Sequence, residues 1–374
     1  MKFESWKLNK WVVLVLTLVF ILIGISPLIQ EQKDQAELTS KKINYIKENR
    51  ELLQAAIDSM KEQGAPADLI NASEDELQAY QQILTGAQIH DEKKQLAGEV
   101  AVAKIQLQKA EKGNLIGATI PELKRNYEEL RFFQSSDIKW IDPFYRADLP
   151  ASNFLLEAFL KIPYPLLLSL GALLITLFCS YEHRKKTNDF LWNTPQSMLK
   201  IMSNKTSLLL VVLASWLIVG TTGIFVIAAI KSGVGNLNYP IFYLDQREIV
   251  QQTTIIQYVM LVLVGTLLFF GLLILLGYFL QYFFKQFIPI FLCLEILILP
   301  LALGNLPGFL PETIAKFLPT SYWDFPRLLV GATSFSSAGI TFEKGLLLLT
   351  VLIIILLISN LVLAKKLAKG RMAS

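Results

Sequence analysis

Apolar and polar residues alternate in long blocks along this chain. Six apolar stretches run at 11–29, 163–180, 207–230, 254–282, 286–304 and 343–364, and the largest polar block, 30–162, separates the first two. A helix needs ~20 apolar residues to cross the hydrocarbon core of a bilayer, and each stretch approaches or exceeds that length. A chain of 374 residues has no soluble core able to bury all six. The pattern predicts an all-α polytopic membrane protein with six membrane helices, whose function is exercised across or at a membrane.

The polar block itself reads as helical. From Lys33 to Met60 there is no Gly or Pro, and Ile43, Ile46, Leu53, Ile57 and Met60 recur at helical spacing. Gly64-Ala65-Pro66 ends that helix. Ser73 with Glu76 three residues later predicts a capping-box start for a short second helix, ending near Thr85-Gly86. A third helix carries Leu96, Val100, Ala103, Leu107 and Ala110 at alternating spacings of four and three, a heptad seam, and closes at Lys112-Gly113-Asn114. The seam reads first as packing within the domain, with ligand capture or partner docking as the alternatives. A last helix starts after Thr119-Ile120-Pro121, with Glu122 near its positive end. The aromatic cluster Trp140, Phe144, Tyr145, Phe154, Phe159 and Tyr164, with Leu155, predicts a stretch lying on the membrane surface ahead of the second span.

Charge sets the orientation. Basic residues near span ends stay on the cytoplasmic side. Lys2, Lys7 and Lys10, then Arg184, Lys185, Lys186, Lys200 and Lys205, then Lys285, and finally Lys365, Lys366, Lys369 and Arg371 fall on one side, against only Glu4, Glu182 and Asp189. Both termini are therefore expected in the cytoplasm of a cell-membrane protein, with residues 30–162 external. The net charge of +4 hides an asymmetry, because the external block holds 17 basic and 22 acidic residues. The basic remainder is divided among separate loops without stacking aromatics, so it is topogenic and no nucleic-acid footprint. Gly24-Ile25-Ser26 runs into Pro27, which argues for an uncleaved first span over a signal peptide. Cys179 and Cys293 both fall in apolar stretches and offer the external block no disulfide.

Several chemistries lack their residues. His90 and His183 fall in different predicted compartments, and no His-Glu-x-x-His, Cys-x-x-Cys, Gly-x-Ser-x-Gly or Gly-x-x-x-x-Gly-Lys-Ser/Thr pattern occurs. A serine–histidine triad, a metal-hydrolase centre and a P-loop ATPase are all unsupported, so the chain is not expected to be an enzyme by itself.

The largest predicted cytoplasmic loop, 181–205, is patterned: Glu182, Thr187, Phe190-Leu191, Thr194-Pro195, Ser197 and a closing Lys205, with Thr194-Pro195 breaking it between two helical pieces. Between the fifth and sixth spans, within 305–342, stand Leu306-Pro307-Gly308-Phe309-Leu310, Leu318-Pro319-Thr320-Ser321-Tyr322, Phe325 and Arg327. Met1 to Lys10 carries Phe3, Trp6 and Lys7 beside the first span. These three segments resemble the coupling loop, the external re-entrant helices and the connecting helix of type-2 ABC exporter permeases, the type V ABC transporter fold. The resemblance covers roughly 1–30 and 163–365. Lys186 stands where that family has Gly before the threonine, Asn204 replaces a common Gly before Lys205, and the 30–162 insertion is outside the core family pattern.

The resemblance implies a permease subunit that pairs with a second permease, the same or different, and with two copies of an ABC ATPase. ATP and Mg would be bound in that partner, and the 182–205 loop would carry the coupling. Substrates in that family are lipids, lipid-linked glycans, peptides and hydrophobic drugs, and a basic, cysteine-poor chain suits a bacterial system handling amphiphilic peptides or antibiotics. The rival reading is a non-transporting membrane sensor or scaffold whose external helical domain binds a ligand. A secondary transporter would show repeated halves and several intramembrane charges, and only Glu295 qualifies. That carboxyl lines the transport path or a subunit interface and attracts a cationic substrate group, or else is a protonated or hydrogen-bonded group bridging helices, with Tyr258, Gln257 and Ser215 as candidate partners.

Overall fold

The computed structural model describes residues 10–89, 91–113, 118–142, 149–181, 198–245, 248–304, 319–331 and 340–372, and most of these are helical. In chain order the helices are α1 (Lys10–Glu62), α2 (Ala67–Gln88), α3 (Glu92–Glu111), α4 (Ile120–Ser135), α5 (Ala151–Lys161), α6 (Tyr164–Cys179) and α7 (Met198–Ser232). Strands β1 (Pro240–Leu244) and β2 (Val250–Thr254) follow, then α8 (Ile255–Gln281), α9 (Phe287–Gly304), a 3-10 turn (Pro319–Tyr322), the single-turn α10 (Phe325–Leu328) and α11 (Phe342–Met372). Two compact units result, one of Met1–Pro27, Ala151–Leu237 and Ile255–Ser374, the other of Leu28–Pro150 and Asn238–Thr254.

The first unit holds the apolar helices. Lys10–Pro27 of α1, Lys200–Ser232 of α7, all of α8 and Phe342–Ala364 of α11 are long and apolar enough to cross a bilayer. Helix α5 meets α6 at 81°, so that pair counts as a fifth crossing only if the bend is one span, while α9 is a shorter apolar helix. The chain thus has the character of an α-helical membrane protein. Its outward faces fit that solvent, since Leu347, Ile354 and Ile358 of α11 and Leu14, Leu18 and Leu22 of α1 are exposed, and hydrocarbon is the medium in which such faces cost nothing.

Helix α8 is the hub of this unit, packed against α5, α6, α7, α9 and α11. Its Phe269, Phe270, Val262 and Leu273 have no exposed surface. Trp216 of α7 lies between Phe20 of α1, at 5.4 Å, and Phe270, at 6.2 Å. The α5–α6 corner forms because Pro163 and Pro165 cannot donate backbone hydrogen bonds, and α5 closes on its own through Ile162 N to Ala158 O at 2.8 Å. At its other end, α5 hands the N–H groups of Ala151 and Ser152 to the carbonyls of Gly233 and Val234. This corrects the expected surface stretch: Phe154, Leu155, Phe159 and Tyr164 are core residues, each no more than 4% exposed. Phe144 and Tyr145 lie outside the described residues.

The second unit is a helical bundle with one hairpin. Ile43, Ile46 and Leu53 of α1 pack on Ala79, Tyr80, Ile83 and Leu84 of α2 and on Val102 of α3. Most of the heptad seam is internal, with Leu96, Val100, Ala103 and Ala110 buried. Helices α2 and α3 approach so closely that a Cβ at Gly86 would stand 2.5 Å from Gln95 N. The expected start of the second helix at Ser73 is wrong. Helix α2 begins at Ala67 behind Pro66, and Ser73 Oγ donates instead to Leu69 O within the helix, at 2.9 Å. The Thr119–Glu122 pair is a complete capping box on α4, each residue's side chain meeting the other's backbone N–H.

The hairpin of β1 and β2 is an addition that the helical reading lacked. Its strands pair antiparallel, Pro240 opposite Thr254 and Leu244 opposite Val250. Phe242 and Tyr239 set it on α4 through Phe132 and Phe133, with ring centroids 5.6 and 5.0 Å apart. Glu248 takes a left-handed φ of 58° in its loop.

Candidate functional site

The sequence-derived candidates fall into three groups. Glu182, Thr187, Phe190, Leu191, Thr194, Pro195 and Ser197 lie outside the described residues, as do the 1–9 connecting segment and Pro307. Lys205, which closes the patterned loop, is a buried residue of α7. The remaining candidates, Pro319, Tyr322, Arg327 and Glu295, belong to the membrane-type unit.

Pro319 opens the 3-10 turn, Tyr322 ends it and Arg327 lies in α10. A turn of 3-10 helix, two residues without regular structure and one α turn leave backbone groups unpaired by regular structure, which an apolar surrounding tolerates only where protein satisfies them. Here Tyr258 of α8 donates its hydroxyl to Pro326 O at 3.1 Å. Asp324 and Arg327 form an ion pair at 3.8 Å. The segment is anchored by two large side chains with no exposed surface, Trp323 and Phe325. Trp323 packs on Phe269 at 4.9 Å, and Phe325 meets Phe342 edge to face at 5.6 Å. Gly265 and Gly345 admit the segment: a Cβ at either would lie 2.8 Å from the Phe325 ring or 2.4 Å from Tyr322 O.

Glu295 lies on α9 in the run Phe291-Leu292-Cys293-Leu294-Glu295-Ile296-Leu297. Ser169 of α6 donates its hydroxyl to Glu295 Oε2 at 2.8 Å. The other carboxyl oxygen, Oε1, is enclosed and has no hydrogen-bond partner among the described residues. Two of the expected partners are engaged elsewhere, Tyr258 at Pro326 O and Ser215 at Val211 O. The actual partner lies 126 positions away in sequence, and only the packing of α6 on α9 brings it near.

The second unit has its own polar centre. Lys42 of α1 meets Asp142 at 2.5 Å and Glu99 of α3 at 3.0 Å, and lies 5.7 Å from the centroid of the Trp140 ring. Gln95 donates to the same Asp142 oxygen at 2.7 Å. Burial holds the Glu99 carboxyl above the usual glutamate range, against the opposing pull of Lys42. Nearby Tyr80 is pushed up to about 12, chiefly by burial. Lys109 of α3 pairs with Glu76 of α2.

Among the described residues, no three His, Cys, Asp or Glu side chains converge as a metal site. Sequence reasoning missed Ser169, Trp323, Asp324 and Asn360. Asn360 of α11 donates to Leu275 O of α8 at 2.9 Å, a polar clasp between apolar helices. Polar residues inside apolar runs were the available signal, because each must find a partner in hydrocarbon.

No family model, no curated protein and no solved structure matches this chain.

Proposed function

We propose that the chain is the membrane subunit of an ATP-driven ABC exporter, working with a second permease and two copies of a separate ATPase that bind ATP and Mg. In this reading six helices cross the cell membrane, both termini are cytoplasmic and residues 30–162 are external. The cargo is an amphiphilic or hydrophobic molecule: a peptide, an antibiotic, a lipid or a lipid-linked compound.

The observation that carries the reading is the broken segment Pro319–Leu328, in which Trp323, Asp324 and Phe325 are buried, following the patterned 182–205 loop in the same chain. A helical anchor for a sensor needs neither feature. Irregular backbone held inside an apolar bundle is costly, and proteins keep it where a path or an interface requires it. The chain's lack of a P-loop then assigns ATP hydrolysis to a partner. The second unit supports the choice of cargo. A groove of about 610 Å³ between α1 and α2 is lined by Glu51, Asp58 and Glu74 together with Arg50, an acidic bias that favours cationic amphiphiles.

The test is whether a P-loop ATPase is encoded beside this chain and co-purifies with it. Wild type is expected to retain the ATPase, and Glu182→Lys to lose it. Retention by both would remove the coupling role of the loop, and retention by neither would favour the sensor or scaffold.

A further inference from the structure

We propose that Glu295 is a proton-binding site inside the membrane unit, its carboxyl occupied by a proton at neutral pH. The inference does not depend on the exporter reading.

Glu295 is the ninth residue of α9, an 18-residue apolar helix, and is half-buried. Among the described residues Ser169 supplies the one side-chain hydrogen bond to the carboxyl, at 2.8 Å to Oε2, while Oε1 is enclosed without a partner. The elements that pack chiefly against α9, among the described residues, are α6, α8 and the 3-10 turn. Their titratable groups are Tyr164 and Cys179 on α6, Tyr258 and Tyr278 on α8 and Tyr322 on the turn, with Cys293 on α9 itself. None of these elements carries a Lys, Arg or His. Tyr164 is engaged with Thr266 at 2.8 Å, and Tyr258 with Pro326 O.

A carboxylate here would hold a full charge in an apolar setting, with one neutral donor and no cation on the described elements packed against it. Such a group neutralises itself in preference to remaining ionised. With the proton on Oε1, Ser169 continues to donate to Oε2, so the observed contact is kept and the charge is gone. No bond other than O–H forms, and the proton comes from water when the site is exposed to it.

The full chain in lipid nanodiscs provides the test, by infrared difference spectroscopy between wild type and Glu295→Gln at pH 7. The proposal expects the carbonyl stretch of a neutral carboxylic acid in wild type, shifted in heavy water and absent from Glu295→Gln. It also expects Glu295 to be modified by a membrane-soluble carbodiimide, which reacts with a protonated carboxyl: the acid proton moves to a carbodiimide nitrogen as the carboxyl oxygen adds to its central carbon. Modification at pH 7 should exceed that by a water-soluble carbodiimide at least tenfold, and Ser169→Ala should retain it. A carboxylate band in place of the acid band at pH 7 overturns the proposal whatever the labelling shows.

Discussion

The Tyr258 hydroxyl and the Pro326 carbonyl, 3.1 Å apart, join the central helix α8 to the single turn of α10. That carbonyl belongs to a segment with little regular structure, so the bond stands in for a helical partner that the chain cannot supply. Removing only the donor by Tyr258→Phe keeps the ring and strands a buried acceptor, which costs about 1–3 kcal/mol. The expected result is a lower thermal midpoint in detergent and faster amide exchange confined to peptides covering 319–331. Unchanged exchange there would show that packing of Trp323 and Phe325 suffices.

Close approach of backbone, rather than propensity, governs the second prediction. A Cβ at Gly345 would lie 2.4 Å from Tyr322 O, whereas at Gly271 the nearest atom is 4.0 Å away. Gly345→Ala should destabilise by about 1–3 kcal/mol through overpacking. Gly271→Ala should be neutral or stabilising by up to ~1 kcal/mol through helix propensity. Thermal unfolding of the two variants side by side decides it, and equal midpoints would contradict the described contact of α11 with the 3-10 turn.

In the second unit, Lys42 holds two carboxyl groups together, Glu99 and Asp142. Lys42→Met leaves them facing each other, and breaking a buried pair in this way costs about 3–5 kcal/mol. Glu99→Gln should be far milder, since the amide oxygen still accepts from Lys42. The pH dependence has a definite sign. Burial raises the folded-state pKa of Glu99 above its reference of 4.5, so between the two values the folded state binds more protons than the unfolded one. The contribution of Glu99 to stability must fall as pH rises through that window and level off above it. Amide exchange in α3, followed from acid to neutral pH, should show this decline in wild type and a flatter profile in Glu99→Gln.

Local signals in the sequence were legible where one short stretch decides the outcome. Thr119 and Glu122 lie on one turn and cap α4, and the α3 seam is buried at most of its positions. The same capping pattern failed at Ser73 because Pro66 had already started α2, and Glu76 was committed to Lys109 on another helix. The hairpin went unseen because β2 is polar, Val250-Gln251-Gln252-Thr253-Thr254, and its pairing with β1 depends on α4 offering Phe132 and Phe133. Phe154 and Phe159 looked like membrane-surface aromatics. Only the packing of α5 on α7 and α8 makes them core. Glu295 was recognisable as a residue needing a partner, but Ser169 is chosen by tertiary structure alone.

Replacing residues 36–140 with a short flexible linker tests the role assigned to the helical insertion. The exporter account expects basal ATP turnover of the complex to survive while resistance to, or release of, cationic amphiphiles changes. Loss of turnover together with substrate handling would mean that the insertion takes part in coupling.

The central claim is coupling between this chain and a separate ATPase, and ATP turnover in proteoliposomes measures it most directly. The wild-type chain, reconstituted with the P-loop ATPase that the exporter reading expects to find encoded beside it, should support ATP hydrolysis at a rate that amphiphilic cargo stimulates. The variant combining Phe190→Asp with Pro195→Leu, which alters the patterned loop while leaving the membrane helices intact, should lose that stimulation. Equal, cargo-responsive turnover in both preparations, or an ATPase whose rate ignores the presence of this chain, would contradict the account.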